Sequence, residues 1–335
     1  MTARRTLMPA LALVLLAAAC SGGSDTAASS ASGTSSTSSA SSAGASSSFA
    51  AEVATSDLYV GAPQRVQVGV LSSTSDGGVQ LVSYGEVQLS FSYLGTDGSA
   101  SPIPGPTATA TYLGTPGTSS DGTGPALTDP ATARGVYQAE DITFDAAGIW
   151  QAAVSADIVG VGPQELTTPF QVAAKPALPA PGDEALQTQN LTADSKGVPK
   201  SAIDSRALDG APIPDPELHA TTIAKALRAG KPILALFATP VYCTSQFCGP
   251  TADALQELAD AHGDEAAFIH VEIWKDYQKS VVNQAAADWL YRRGDLTEPW
   301  LFLIGTDGRI VDRWAPLFDP DEVLQALAAI PNTGD

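Results

Sequence analysis

Ile233-Leu234-Ala235-Leu236-Phe237-Ala238-Thr239-Pro240-Val241-Tyr242-Cys243-Thr244-Ser245-Gln246-Phe247-Cys248-Gly249-Pro250 runs from an unbroken apolar segment into a polar loop and stops at a Gly-Pro pair. Six apolar residues between Pro232 and Pro240 are too few for a core helix and suit a strand buried on both faces. Pro250 fits the first turn of a helix, where its missing N–H would have no partner anyway, so the spacing predicts a helix from about Pro250 to His262. The two cysteines bracket the loop. On a regular helix, residues five apart are turned by about 140° around the axis, too far for a disulfide, so at least Cys243 must precede the helix.

Outward from this stretch, Asp215 and Pro216 open a helix whose apolar stripe is Ile223, Ala226 and Leu227, ending at Gly230. Downstream the pattern predicts a strand at Ala267 to Trp274, a helix at about Val281 to Arg292, and a strand at Trp300 to Ile304. A turn at Thr306-Asp307-Gly308, a strand at Ile310 to Trp314 and a helix from Pro320 to Ile330 follow. Parallel strands joined by helices and closed by a hairpin make a mixed α/β sheet.

Leu236 to Cys243, then Cys248-Gly249-Pro250, then Glu298-Pro299-Trp300-Leu301-Phe302 resemble the thioredoxin superfamily, over roughly Ile233 to Ile330. The resemblance implies an α/β thioredoxin-like fold over residues 215–335, with a strand delivering a cysteine to a helix start. It also implies that Pro299 is cis and that a partner lies along Glu298 and Pro299. A proline entering a strand is otherwise poorly placed, which gives the cis bond a physical motive as well. The chain departs from the family in spacing, with four residues between the cysteines where two are usual. Two registrations stay open: Cys243 as the attacking thiol with Cys248 resolving, or Cys248-Gly249-Pro250-Thr251 overlaying the family motif, with Thr251 in place of the second cysteine.

The expected activity is thiol-disulfide exchange with exported protein thiols or disulfides, carried by Cys243 and Cys248 without cofactor or metal. A helix N-terminus favours thiolate, which is the nucleophile. Two other readings accompany it. One is a non-catalytic binding module with a structural disulfide. The other is a copper-handling relative drawing a ligand from His219, His262 or His270, none of which falls in the later loop where that branch of the superfamily keeps its histidine.

At the other end, Arg4-Arg5 precede an apolar run, Leu7 to Leu16, closed by Ala17-Ala18-Ala19-Cys20. This reads as a signal peptide over residues 1–20. It resembles the lipobox of bacterial lipoproteins, which implies lipidation of Cys20 and attachment to the extracytoplasmic face of the cell membrane. Residues 21–49, almost wholly Ser, Ala, Gly and Thr, cannot bury a core and read as a disordered tether.

Between them, residues 50–174 carry period-two patterns at Val66, Val68 and Val70 and at Val87, Leu89, Phe91 and Tyr93, predicting an all-β sandwich. Gly135 to Trp150 weakly resembles the closing strands of immunoglobulin-like domains. No His, Met or Cys lies between Ser21 and Leu218, which argues against a copper site there. Residues 175–214, with Lys175-Pro176 and Pro179-Ala180-Pro181, read as a Pro-rich linker, and its scattered apolar residues suit a segment laid along the following domain. With 17 Lys+Arg against 36 Asp+Glu over 335 residues, the net charge of −19 gives no footprint for nucleic acid.

Overall fold

The computed structural model describes residues 48–74, 77–118, 122–292 and 294–331. The expected signal peptide, Cys20 and the expected tether as far as residue 47 lie outside the described residues, while Ser48 and Phe49, read as the end of that tether, belong to the first strand.

Nine strands come first: β1 (Ser48–Val53), β2 (Gln64–Ser73), β3 (Val79–Ser83), β4 (Glu86–Tyr93), β5 (Ile103–Gly114), β6 (Ala126–Thr128), β7 (Gly135–Ile142), β8 (Gly148–Ile158) and β9 (Gly162–Val172). They alternate as read: in β4 Val87, Leu89 and Phe91 are buried while Glu86, Gln88 and Ser90 face water. In β8 the buried set is Trp150, Ala152, Val154, Ala156 and Ile158. Their inward side chains, with Tyr137 and Phe144, make one core.

Hydrogen bonding links all nine strands into one antiparallel sheet, ordered β6-β3-β2-β7-β5-β4-β8-β9, with β1 also on β2. The sheet curls until β1 lies against β9. β2 pairs with β7, with one irregularity between Gln64 and Val66, and β7 pairs with β5, where a sandwich would separate two sheets.

The remainder contains α1 (Ile223–Ala229), β10 (Ile233–Ala238), α2 (Cys248–His262), β11 (Ala267–Glu272), β12 (Trp274–Asp276), β13 (Val281–Val282), α3 (Gln284–Leu290), β14 (Trp300–Ile304), β15 (Ile310–Trp314) and α4 (Pro320–Ala328). A four-stranded sheet runs β11-β10-β14-β15, parallel between β10 and β11 and antiparallel elsewhere. All six residues of β10 are buried. Ile233, Ala235 and Phe237 pack into a cluster with Trp289 and Phe302, and Leu234, Leu236 and Ala238 pack into one with Cys248, Leu255 and Val323.

The expected fold class, an immunoglobulin-like sandwich followed by an α/β thioredoxin-like fold, is corrected by these findings. Among the described residues strand makes up 39% and helix 18%, the N-terminal strands form a curled sheet, and the C-terminal region holds a small mixed sheet with little of the α/β thioredoxin-like pattern. Period two reports that a strand is half-buried but not which strand is its neighbour, so it cannot separate a sandwich from one curled sheet. The helix expected at Val281 to Arg292 is instead a short strand followed by α3, because Trp274 and Val282 pair and take β12 and β13 into their own hairpin. The strand expected to reach Trp274 therefore stops at Glu272. Around Pro216 the chain makes only a 3-10 turn, Pro216–His219, and α1 starts later, where Thr222 Oγ1 accepts the Lys225 N–H at 3.1 Å.

Residues 175–214 lie against the mixed sheet. Gly182 N–H donates to Ile310 O at 2.8 Å, Ala185 N–H donates to Gly308 O at 2.9 Å, and Leu178 and Ala185 are buried in its core. The curled sheet is fastened to the same part of the chain. Arg65 forks onto Asp312 at 2.8 and 2.9 Å and also pairs with Glu322, while the buried Gln67 holds both the N–H and the C=O of Leu317. These residues belong to one compact unit, Ala45–Asp335.

Candidate functional site

The loop between β10 and α2 carries Cys243 and Cys248, which form a disulfide with Cα atoms 5.9 Å apart. As required by geometry, Cys243 precedes the helix, but Cys248 is the first residue of α2 rather than the last of the loop. Pro250 then falls at the third helical position, still inside the first turn, where no N–H is needed. The loop reaches this closure through Gln246, whose φ of 62° reverses the chain.

The two sulfurs are not equivalent. Cys248 is fully buried among Leu236, Leu255 and other residues of its cluster, whereas Cys243 is half-buried. The Cys243 Sγ accepts the Cys248 N–H at 3.3 Å and lies 3.2 Å from Ser245 Oγ. That amide belongs to the start of a fifteen-residue helix, so its dipole and its donor both favour negative charge on Cys243. Thr251 Oγ1 donates to Phe247 O and Cys248 O at 3.0 and 3.1 Å, and is thus occupied within the helix.

Glu298 joins the sulfurs: one of its carboxylate oxygens and both Sγ atoms lie within 4.8 Å of one another. Its Oε2 is buried without a hydrogen-bond partner. Burial, reinforced by the charge of Glu272, pushes its carboxyl up to about 7. Glu272 itself is 1% exposed, and its carboxylate takes the Ser205 N–H at 2.7 Å and the Trp274 N–H at 3.2 Å. Burial pushes this second acid up as well, against the pull of His270 and of its hydrogen bonds. Pro299 follows Glu298 across a cis bond and is buried.

A cleft of about 750 Å³ opens beside the disulfide. One wall is the curled sheet, with Val79, Leu81 and Val136, and the other is the disulfide loop with Phe247, together with Pro299. Arg134 Nη1 reaches across to Gln246 O at 3.4 Å. Behind the loop, Tyr242 stacks on Tyr277 with ring centroids 4.0 Å apart, which gives the β12–β13 hairpin a packing role.

Of the residues singled out in the sequence, Cys243, Cys248, Glu298 and Pro299 come together here. The histidines do not: His219 and His270 form a separate buried group with Asp204, and His262 pairs at the surface with Glu265 at 2.8 Å. Sequence reading passed over Glu272 and the segment Asp204-Ser205-Arg206. Ser205 Oγ accepts the Val241 N–H at 3.2 Å, so this segment supports the cysteine loop from below. Its only signal is a cluster of polar residues next to Ala202 and Ile203, a pattern shared with exposed linkers. Compared with protein-family models, curated proteins and solved structures, the chain matches none.

Proposed function

We propose that this chain is a thiol-disulfide oxidoreductase that exchanges disulfides with exported proteins through Cys243 and Cys248. It acts at the extracytoplasmic face of the membrane, where a lipid on Cys20 holds it. The observation carrying this reading is the asymmetry of the pair: a half-buried sulfur facing a helix amide, bonded to a fully buried one beside an unpaired carboxyl oxygen. A disulfide serving only as a staple needs neither feature.

In the oxidising direction a partner thiolate attacks Cys243 Sγ, and the Cys243–Cys248 bond breaks as the mixed disulfide forms. The electron pair of the broken bond stays on Cys248, whose buried thiolate takes the proton of Glu298. A second partner thiolate then attacks the partner's sulfur and displaces Cys243 as thiolate. The partner leaves oxidised and the protein is left as a dithiol. In the reducing direction the Cys243 thiolate attacks the partner's disulfide and releases one partner sulfur as thiolate. Glu298 then withdraws the proton from Cys248, whose thiolate attacks Cys243 Sγ, forming the Cys243–Cys248 bond and releasing the second partner sulfur as thiolate. The test is trapping: Cys248→Ser should accumulate a mixed disulfide on Cys243 when offered a disulfide-bonded peptide, and Cys243→Ser should not. Equal trapping by both variants, or none by either, would overturn the assignment.

A further inference from the structure

Asp204, His219 and His270 come from three separate segments: the stretch before α1, the 3-10 turn Pro216–His219, and the middle of β11. All three side chains have zero exposure. One ligating atom from each lies within 4.8 Å of the others. Asp204 Oδ2 is 3.3 Å from His219 Nε2 and 3.4 Å from His270 Nδ1.

Proton accounting leaves a gap between His270 and Asp204. His270 Nε2 sits 3.1 Å from Ala238 O. A carbonyl can only accept, so Nε2 carries a hydrogen and Nδ1 is the nitrogen turned toward Asp204. That nitrogen faces a carboxylate oxygen in a fully buried site. Nδ1 of His270 and Nδ1 of His219 both lack a hydrogen-bond partner. A ring nitrogen and a carboxylate oxygen buried 3.4 Å apart need positive charge between them, from a ring proton or a metal ion, and His219 Nε2 converges on the same oxygen at 3.3 Å, which makes the three-donor arrangement a metal ion takes.

We propose that Asp204, His219 and His270 bind a divalent metal ion of the zinc type, at a site separate from the disulfide. Two imidazoles and a carboxylate are the borderline donors this ion takes, and bonds of roughly 2.0–2.1 Å in a tetrahedron set neighbouring donors about 3.3–3.4 Å apart. His270 has the surroundings of a metal-bound imidazole, its other N–H going to a backbone carbonyl, Ala238 O.

Arg206 also holds Asp204, with Nη2 2.8 Å from Oδ2 and Nε 3.1 Å from Oδ1, and its own backbone N–H donates to Oδ1 at 2.8 Å. A carboxylate offers about four lone-pair sites, so this fork leaves Oδ2 able to bind an ion as well. Arg206 is balanced in turn by Asp215 at 2.7 Å. Three protein ligands leave one tetrahedral position open. The ion would pin the segment carrying Ser205 to β11, and through Ser205 it would steady the loop ahead of Cys243.

The test uses the full chain, purified in detergent, stripped with chelator and dialysed against Zn2+ with its disulfide intact. Elemental analysis should find one zinc per chain, retained in Cys243→Ser/Cys248→Ser and bound at least tenfold more weakly by His219→Gln and by His270→Asn. Substitution with Co2+ should give the visible bands of a tetrahedral nitrogen and oxygen site, a readout that stands even where a histidine variant fails to fold. A folded wild type that takes up no zinc would overturn the proposal. So would zinc lost with the cysteines, or a sulfur-to-cobalt charge-transfer band, since either places the metal on the disulfide pair.

Discussion

The backbone N–H of Cys248 donates to the Sγ of Cys243 across 3.3 Å, so the first amide of α2 is directed at the more accessible of the two sulfurs. A free thiol titrates near 8.5, and a helix N-terminus lowers that by stabilising thiolate. In the reduced Cys248→Ser variant, alkylation of Cys243 by iodoacetamide should follow a midpoint at least one unit below about 8.5. A midpoint at or above that value would remove the reason for treating Cys243 as the nucleophile.

Glu298 should impose a pH dependence on both exchange and stability. Its carboxyl stands at about 7 in the fold against an ordinary 4.5, so between those values the native state holds a proton that the unfolded chain has released. Stability is then fullest below the unfolded value and is lost as pH rises through the folded one. Glu298→Gln, which cannot ionise, should gain on the order of 2–3 kcal/mol over wild type at pH 8 and nothing at pH 4, in urea titrations. The exchange rate of this variant should lose its inflection near 7. A variant with the stability profile of wild type would show that the carboxyl is not buried as described.

Gln67 joins the curled sheet to the chain after β15. Its Nε2 donates to Leu317 O at 2.8 Å and its Oε1 accepts the Leu317 N–H at 3.2 Å, in a site with no exposure. Gln67→Ala leaves both backbone groups unpaired, and should cost about 2–4 kcal/mol with an unchanged urea m-value.

Asp57 and Arg313 form an ion pair at 2.7 Å with only 6% and 8% of their side chains exposed. Asp57 also receives the Ala177 and Leu178 N–H groups at 2.7 and 3.1 Å. Removing one member of a buried pair strands the other charge, so Asp57→Ala should cost about 3–5 kcal/mol. Asp57→Asn keeps an acceptor for the backbone and should cost visibly less, when both variants are compared with wild type by urea titration.

The local signals in the sequence were legible where packing repeats with a period. The alternation in β4, the apolar run of β10 and the Gly-Pro pair at the head of α2 each follow from side-chain direction or from proline's missing donor. What the alternation in β4 left open was the partner strand, and there one curled sheet replaced the expected sandwich. Between Val281 and Leu290 two β-branched residues precede a helical stripe, and only the pairing of Val282 with Trp274 decides where strand gives way to helix. The candidate site was legible in its cysteines, Glu298 and Pro299. Glu272 and Ser205 were not, because a buried acid and its distant amide donor meet only through tertiary structure.

The measurement that tests disulfide exchange most directly is the redox equilibrium of the full chain with glutathione, following Cys243 and Cys248 by thiol trapping, with Cys243→Ser and Cys248→Ser as controls. The account predicts a potential within the span of catalytic exchangers, roughly −120 to −270 mV, and a mixed disulfide trapped in Cys248→Ser alone. A pair that stays oxidised below about −300 mV would contradict it and leave the disulfide as a structural staple.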